Sequence, residues 1–279
     1  VDLVDGNLDP TITGTIDVNT VGTYVLKYNA KDSSGNSAVE VQRTVTVGDT
    51  GIPVISINGD VLVVQEAKGT YVDRGAKASD ALDGNLTGAM KSVSTVNTDV
   101  VGDYSVTYSV SDSNGNTAVN VVRTVKVVDR TMPKITLLGS SSVTHEAKDP
   151  YVDGGVKASD SIDGDLTKSV TVLSTVNTDA VGSYSVTYSV SDSSANAAVE
   201  MSRTVGVVDT TLPLITLSGS STVTQEAKGI YVDRGAIASD TLDGNLTGKV
   251  KSVSTVNTDA LGSYSVTYSV SDANGNAAI

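Results

Sequence analysis

The chain of 279 residues carries a formal net charge of −13, is 39% hydrophobic and 18% charged, and contains one His and no Cys, Phe or Trp. Disulfide frameworks, thiolate zinc sites and thiol nucleophiles are therefore excluded. A histidine-based catalytic or metal centre would have to be built around His145 alone. The negative charge opposes binding to phosphate backbones, and no apolar run approaches the ~20 residues of a membrane helix, so neither a nucleic-acid partner nor a membrane span is expected.

Self-similarity organises the rest. Pro53, Pro133 and Pro213 stand eighty residues apart, as do Glu66, Glu146 and Glu226, then Asp83, Asp163 and Asp243, then Tyr104, Tyr184 and Tyr264. That period suits a small autonomous domain rather than a solenoid rung. It divides the chain into a partial copy at 1–50, full copies at 51–130 and 131–210, and a copy at 211–279 that lacks its last strand. In the partial copy Gly22, Tyr24, Tyr28, Asp32, Asn36 and Arg43 precede Gly102, Tyr104, Tyr108, Asp112, Asn116 and Arg123 by the same eighty residues. Two broken ends are expected of a window cut from a longer array; strand donation between chains, building a fibre, is the rival expectation.

Within 51–130 the first predicted strands are Val54–Ile57 and 61–65, then a short strand near 76–78 and another over 90–95, separated by Asn-Gly-Asp, Lys-Gly and Asp-Gly-Asn turns. Strict alternation over 103–112 puts Tyr104, Val106, Tyr108 and Val110 on one face of a half-buried strand. The Asn114-Gly115 pair suggests a type I′ hairpin, after which Val119, Val121, Arg123, Val125 and Val127 alternate back. Gly102 to Tyr104 resembles a tyrosine corner, with the ring in the core and the hydroxyl capping nearby backbone. Arg43, Arg123 and Arg203 share the parity of the valines, so each is expected either to snorkel at a sheet edge or to pair with an acid. Six or seven Val/Thr-rich strands in eighty residues, with no helical period, indicate an all-β fold of antiparallel sandwiches.

The order Pro-x-Ile-x-Leu-x-Gly (213–219), Thr-x-Glu to Ala-x-Ala-x-Asp (224–240), Asp-Gly-Asn-Leu-Thr (243–247) and Leu-Gly-x-Tyr-x-Val-x-Tyr-x-Val-x-Asp-x-x-Gly-Asn (261–276) resembles the bacterial immunoglobulin-like repeat of surface and secreted proteins. This repeat is also found in an insecticidal crystal protein and is similar to the hyalin repeat. The resemblance spans nearly the whole chain and implies tandem immunoglobulin-like sandwiches forming an elongated rod. Ala195 departs from it in place of the hairpin Gly, and Pro150 in place of Thr or Ile.

The recurring acids are the candidates for chemistry: Glu66, Asp73, Asp80 and Asp83 in the first half of a repeat, and Asp129 in the linker Val-Val-Asp-x-Thr-x-Pro. Calcium takes several carboxylate and carbonyl oxygens from flexible loops. A linker Asp before Pro, an early Glu and an Asp-x-x-Asp-Gly loop resemble the cadherin arrangement, in which ions stiffen the joint between domains. That resemblance implies calcium ligands at Asp129, Glu146, Asp153 and Asp163 for one joint, and at Asp209, Glu226, Asp233 and Asp243 for the next. Alternatively, these carboxylates cap turns and accept from loop amides; spacing leaves both open.

Other motifs read as structure. Asp112, Asn114 and Asn116 resemble the start of a calcium loop, but Ser34 and Ser194 replace the middle residue and no Glu follows at the EF-hand distance, so a hairpin turn is expected. Asn85 and Asn245 head glycosylation sequons, yet Asp165 fills that place in the third copy, again a turn. His145 replaces Gln65 and Gln225 as a polar strand or loop residue, and Lys68, Lys148 and Lys228 lack the aromatic pocket an isopeptide crosslink needs. No catalytic residue and no cofactor other than calcium is expected. The function implied is a structural spacer or stalk in a bacterial extracellular adhesin, fibre or large secreted protein. Its partners would be neighbouring repeats and self-assembled chains. The alternative is loop-mediated binding of a host or surface glycan or protein, strengthened by avidity.

Overall fold

The computed structural model describes residues 1–278, which fall into two compact units divided after Asp129. The first opens with a three-stranded antiparallel sheet of β1 (Thr11–Thr13), β2 (Gly22–Asn29) and β3 (Val41–Val47), in the order β1-β2-β3. The second repeat then forms two sheets. One is β4 (Val54–Ile57), β6 (Ala76–Asp80) and β7 (Gly84–Asn85), paired in that order. The other takes β5 (Leu62–Glu66), β8 (Lys91–Ser94), β9 (Gly102–Ser109) and β10 (Val121–Val128) in the order β5-β10-β9-β8.

All these pairs are antiparallel except β5–β10, which runs parallel from Leu62 opposite Thr124 to Glu66 opposite Val128. An eighty-residue alternation cannot show this, because strands far apart in sequence carry the same period whichever way they pair. The second unit repeats the plan. Its strands β11 (Lys134–Leu137), β13 (Val156–Asp160) and β14 (Gly164–Asp165) form one sheet, and β12 (Ser142–Glu146), β15 (Thr171–Ser174), β16 (Gly182–Ser189) and β17 (Met201–Val208) the other, with β12 parallel to β17.

The fourth copy has β18 (Leu214–Leu217), β19 (Ala236–Asp240) and β20 (Gly244–Asn245), with β21 (Lys251–Ser254) paired to β22 (Val266–Ser269). Its residues 222–226 share the Val-Thr-x-Glu sequence of β12 but form no strand among the described residues, where no counterpart of β17 lies beside them. The only helical elements among the described residues are single 3-10 turns such as Thr87–Ala89, and none is long and apolar enough to cross a membrane.

The core of the second repeat comes from the alternating faces the sequence predicts. Ile55, Ala76, Ala78, Val106, Tyr108, Val110 and Ala118 are buried together, with Tyr71, Leu86 and Met90 packed against them. The third repeat buries Ile135, Val156, Val186, Tyr188 and Val205 in the same way. The hydroxyl of the expected tyrosine corner caps backbone in every copy: Tyr104 donates to the Val100 carbonyl at 2.9 Å, Tyr184 to Ala180 at 3.0 Å, Tyr24 to Thr20 at 2.7 Å and Tyr264 to Ala260 at 3.0 Å, although the Tyr264 ring is exposed rather than in a core.

The β9–β10 turn differs from the expected type I′. Gly115 N–H donates to the Asp112 carbonyl, Asp112 N–H to Asn116, and Gly115 but not Asn114 has positive φ (+92°). This is a type I turn followed by a left-handed glycine, the usual three-residue hairpin loop. A type I′ turn needs positive φ at both central residues; here the Asp112 carboxylate, accepting from Asn114 and Asn116 N–H groups, holds the other geometry.

Candidate functional site

Each repeat gathers carboxylates at the end where its linker enters. In the second repeat β6 ends on Asp80, whose Oδ1 accepts from Leu82 N–H at 2.7 Å and Asp83 N–H at 3.1 Å and so folds the turn back on itself. Asp83 reaches across to the β9–β10 turn, accepting from the Ser113 N–H at 2.7 Å and hydroxyl at 2.8 Å. Asp112 accepts from Asn116 N–H and side-chain amide, both at 2.7 Å. The linker supplies Asp49, whose Oδ1 accepts from Gly51 N–H at 2.9 Å while its Oδ2 is buried without a hydrogen-bond partner.

Asp49, Asp80, Asp83 and Asp112 thereby bring carboxylate oxygens within 4.8 Å of one another. Asp209, Asp240 and Asp272 do the same in the fourth repeat, and Asp160, Asp163 and Asp192 meet in the third. Like charges brought this close repel one another, the less so where solvent screens them. Local donors nevertheless keep several of them ionised. Burial pushes Asp112 up, but the Asn116 side chain and N–H and the Asn114 N–H outweigh it, leaving the carboxyl below its ordinary value. Asp160 and Asp240 behave alike: burial raises them, and the N–H groups of the following turn bring them below the usual range.

Of the eight ligands the sequence suggests, Asp163 joins Asp160 and Asp192, and Asp209 joins Asp240 and Asp272. Asp129 is buried in its linker. Asp243 accepts from Ala273 N–H at 2.6 Å, the counterpart of the Asp83–Ser113 contact. Glu146 stands elsewhere, at the far end of β17 from the Asp163 loop, because β12 places it opposite Val208. Both its oxygens are held by Thr210, from N–H at 2.8 Å and the hydroxyl at 2.7 Å, which lower its pKa. Glu226 is exposed in the segment that forms no strand.

Asp153 and Asp233 belong to a different constellation. Asp153 pairs with the buried Arg203 and accepts from Tyr188, from Tyr151 at 3.0 Å and from Gly155 N–H at 2.7 Å. Asp233 accepts from Tyr268 and Gly235 N–H. The second repeat has the same network, with Arg123 on Asp73 and the Tyr108 hydroxyl donating to Asp73 at 2.6 Å. Arg123 also donates to the carbonyls of Asn58 at 2.6 Å, Asp60 at 3.1 Å and Gly75 at 3.2 Å. Burial pushes Asp73 up, but the Tyr108 and Tyr71 hydroxyls and the Arg123 charge outweigh it and leave the carboxyl below its ordinary value. Tyr188 is pushed up to about 12 by burial and by its bond to Asp153. Of the two expectations for the arginines, pairing with an acid holds for Arg123 and Arg203, which are only 1% and 2% exposed and do not snorkel. Arg43, exposed in the partial copy, lies 5.8 Å over the Tyr28 ring.

The residues that spacing left out of the joint sets are Asp80, Asp112 and their counterparts, together with Asp49. Asp80 stood among the recurring acids and Asp112 headed the run read as a hairpin turn. It is both: the turn's own donors hold it, and the turn delivers it to the linker. That coincidence was the available signal.

The family model described as bacterial surface protein, Ig-like domain, matches residues 5–47, 55–127, 135–207 and 215–279. The pesticidal crystal protein Cry22Aa of Bacillus thuringiensis is 27% identical over 97% of this chain and 38% of its own length. Hyalin of Strongylocentrotus purpuratus is 29% identical over 75% of this chain and 18% of its own length. The chain thus spans well under half of these relatives. Among solved structures, the lipoprotein BT2262 from Bacteroides thetaiotaomicron matches 28% of this chain and 39% of its own at 26% identity, with a TM-score of 0.26. With the family model matched in each of the four copies, this chain belongs to the bacterial surface-protein immunoglobulin-like domain family.

Proposed function

We propose that this stretch is a non-catalytic structural spacer of a bacterial extracellular protein, such as an adhesin, a fibre or a large secreted protein, with calcium held where a linker meets the next repeat. The observation carrying the calcium reading is the buried Asp49 Oδ2 without a hydrogen-bond partner, beside Asp80, Asp83 and Asp112. A hard cation suits an all-oxygen donor set, and it relieves the mutual repulsion of carboxylates that the turns hold close together. Bound there, the ion would tie the linker carboxylate to two loops of the following repeat, so the joint would bend less and the repeat would melt later.

Thermal melting and small-angle scattering of the full chain, with calcium and with a chelator, test both halves. At a calcium concentration a hundred times the dissociation constant, each occupied site adds about 2.7 kcal/mol, so the melting temperature should rise. Asp80→Asn with Asp112→Asn should abolish the share of the Asp49 joint. Melting and maximum dimension that ignore calcium would remove the ion and leave the spacer; a compact scattering envelope would remove the spacer.

A second reading, glycan binding, has one observation in its favour. An open groove of about 490 Å³ is lined by Lys68, Thr70, Tyr71, Ser94 and Thr98, hydroxyls and an aromatic edge of the kind a sugar engages. Hits on a glycan array lost in Tyr71→Ala would support it.

A further inference from the structure

The parallel strand pair has a mechanical consequence. In the second repeat, tension drawn through the two linkers reaches β5 from its N-terminal end and β10 from its C-terminal end. Because the strands run the same way, the two pulls act along one axis in opposite directions, and the ladder is loaded in shear. Its bonds lie across the load and must break together rather than one after another. An antiparallel terminal pair would be opened from one end.

The ladder is closed at both ends. Thr124 N–H donates to the Val61 carbonyl at 2.8 Å, and Ala67 N–H to Val128 at 2.8 Å. Donors alternate along a strand, so Val63 and Gln65 between them direct their N–H groups to β10, while Val64 directs its own away. The third repeat is built alike, from Thr204 N–H on Ser141 at 2.9 Å to Ala147 N–H on Val208 at 2.7 Å.

A second, independent feature lies on the same strand. Arg123 of β10 binds the carbonyls of Asn58 and Asp60, in the segment joining β4 to β5, and the Asp73 carboxylate. Arg203 of β17 likewise binds Leu138, Ser140 and Asp153. The last strand of the repeat therefore grips the point that tension reaches just before β5. Residues 222–226 have no parallel partner among the described residues and form no strand.

We propose that the β5–β10 ladder and its β12–β17 counterpart, each stapled by a buried arginine, are mechanical clamps, and that these repeats resist tension along the chain as well as providing reach. This rests on the spacer reading, yet the two fail separately. Compact scattering with intact force events removes the spacer, and soft rupture with extended scattering removes the clamp.

Single-molecule stretching of the full chain from its two ends tests it. Two strong rupture events are expected, one for each complete repeat, each releasing roughly 250 Å at ~3.5 Å per residue. In Val63→Pro the event of the second repeat should fall to roughly half its force, with a ladder donor gone, while the third repeat in the same molecule serves as control. Val64→Pro should leave the force unchanged. Val110→Ala, in the core away from the ladder, should lower the melting temperature and spare the force.

Should the proline variant lose its fold, the geometry can be changed instead. With no native cysteine in the chain, Asn114→Cys in the exposed β9–β10 turn offers a unique handle. Pulling between that handle and the chain's N-terminal end draws on the same end of both strands, so the ladder should unzip at less than about half the end-to-end force. Equal forces in the two geometries, a Val63→Pro event as strong as wild type, or Val64→Pro or Val110→Ala weakening it as much, would each overturn the clamp.

Discussion

Arg123 and Arg203 show how much one side chain can organise. Each sits on the valine-bearing face of its strand, almost fully buried, and each reaches three backbone carbonyls and one carboxylate. A guanidinium can do this because its donors lie in a fixed planar fork, whereas Lys would leave most of those carbonyls unmet. Arg123→Met should therefore destabilise the second repeat by about 3–5 kcal/mol, since it strands Asp73 and the Asn58, Asp60 and Gly75 carbonyls together. Denaturant titration of the full chain, followed by the exchange of second-repeat amides, reads that loss. A change within ~1 kcal/mol would mean that water replaces the guanidinium freely. The parity of the arginines with the valines was plain in the sequence, but the choice of Asp73 over other acids was not. Asp73 lies fifty residues away, and only packing of the two sheets brings it to the arginine.

Turns carry the next level of information. The β9–β10 turn places a left-handed residue at Gly35, Gly115 and Gly275, with φ of 88°, 92° and 92°, and the third repeat has Ala195 there at 67°. A Cβ in that region is crowded against the neighbouring carbonyl, a cost of about 1 kcal/mol. Ala195→Gly should accordingly raise the stability of the third repeat by up to about 1 kcal/mol, partly offset by the greater freedom of glycine in the unfolded chain. Differential scanning calorimetry checks the sign, and a lowered melting temperature would contradict it. The element that the sequence misjudged is this same turn. The Asn-Gly pair suggests type I′, whereas Asp112, two residues earlier, holds three N–H and amide donors and selects type I with a left-handed glycine. A dipeptide rule cannot weigh a neighbouring carboxylate against itself.

For the molecule as a whole, stability should follow the carboxylates. Asp73 and Asp153 have pKa values below the ordinary range in the folded chain, so the stability they contribute is present above the unfolded value of about 3.9 and is lost as pH falls through the folded one. Melting temperature should be nearly level from neutral pH to about pH 5 and drop steeply below about pH 4. Circular dichroism melts across that range check it; a fall already near pH 6 would point to a different titrating group. Asp112, Asp160 and Asp240, also below their ordinary values, act in the same direction, so acid should weaken the linker ends and the repeat interiors together.

The period of eighty residues, the alternation within strands and the tyrosine corner could be read directly because each is local or repeats at fixed spacing. Those features determined the fold class and where one copy succeeds another. Which acids meet was decided by tertiary structure: Glu146 and Asp163 share a repeat but stand at opposite ends of β17, while Asp80 and Asp112, thirty-two residues apart, converge through their turns. The parallel sense of β5 and β10 was likewise hidden. An alternating side-chain pattern is the same for either strand direction, and direction enters only when the chain closes one sheet over the other.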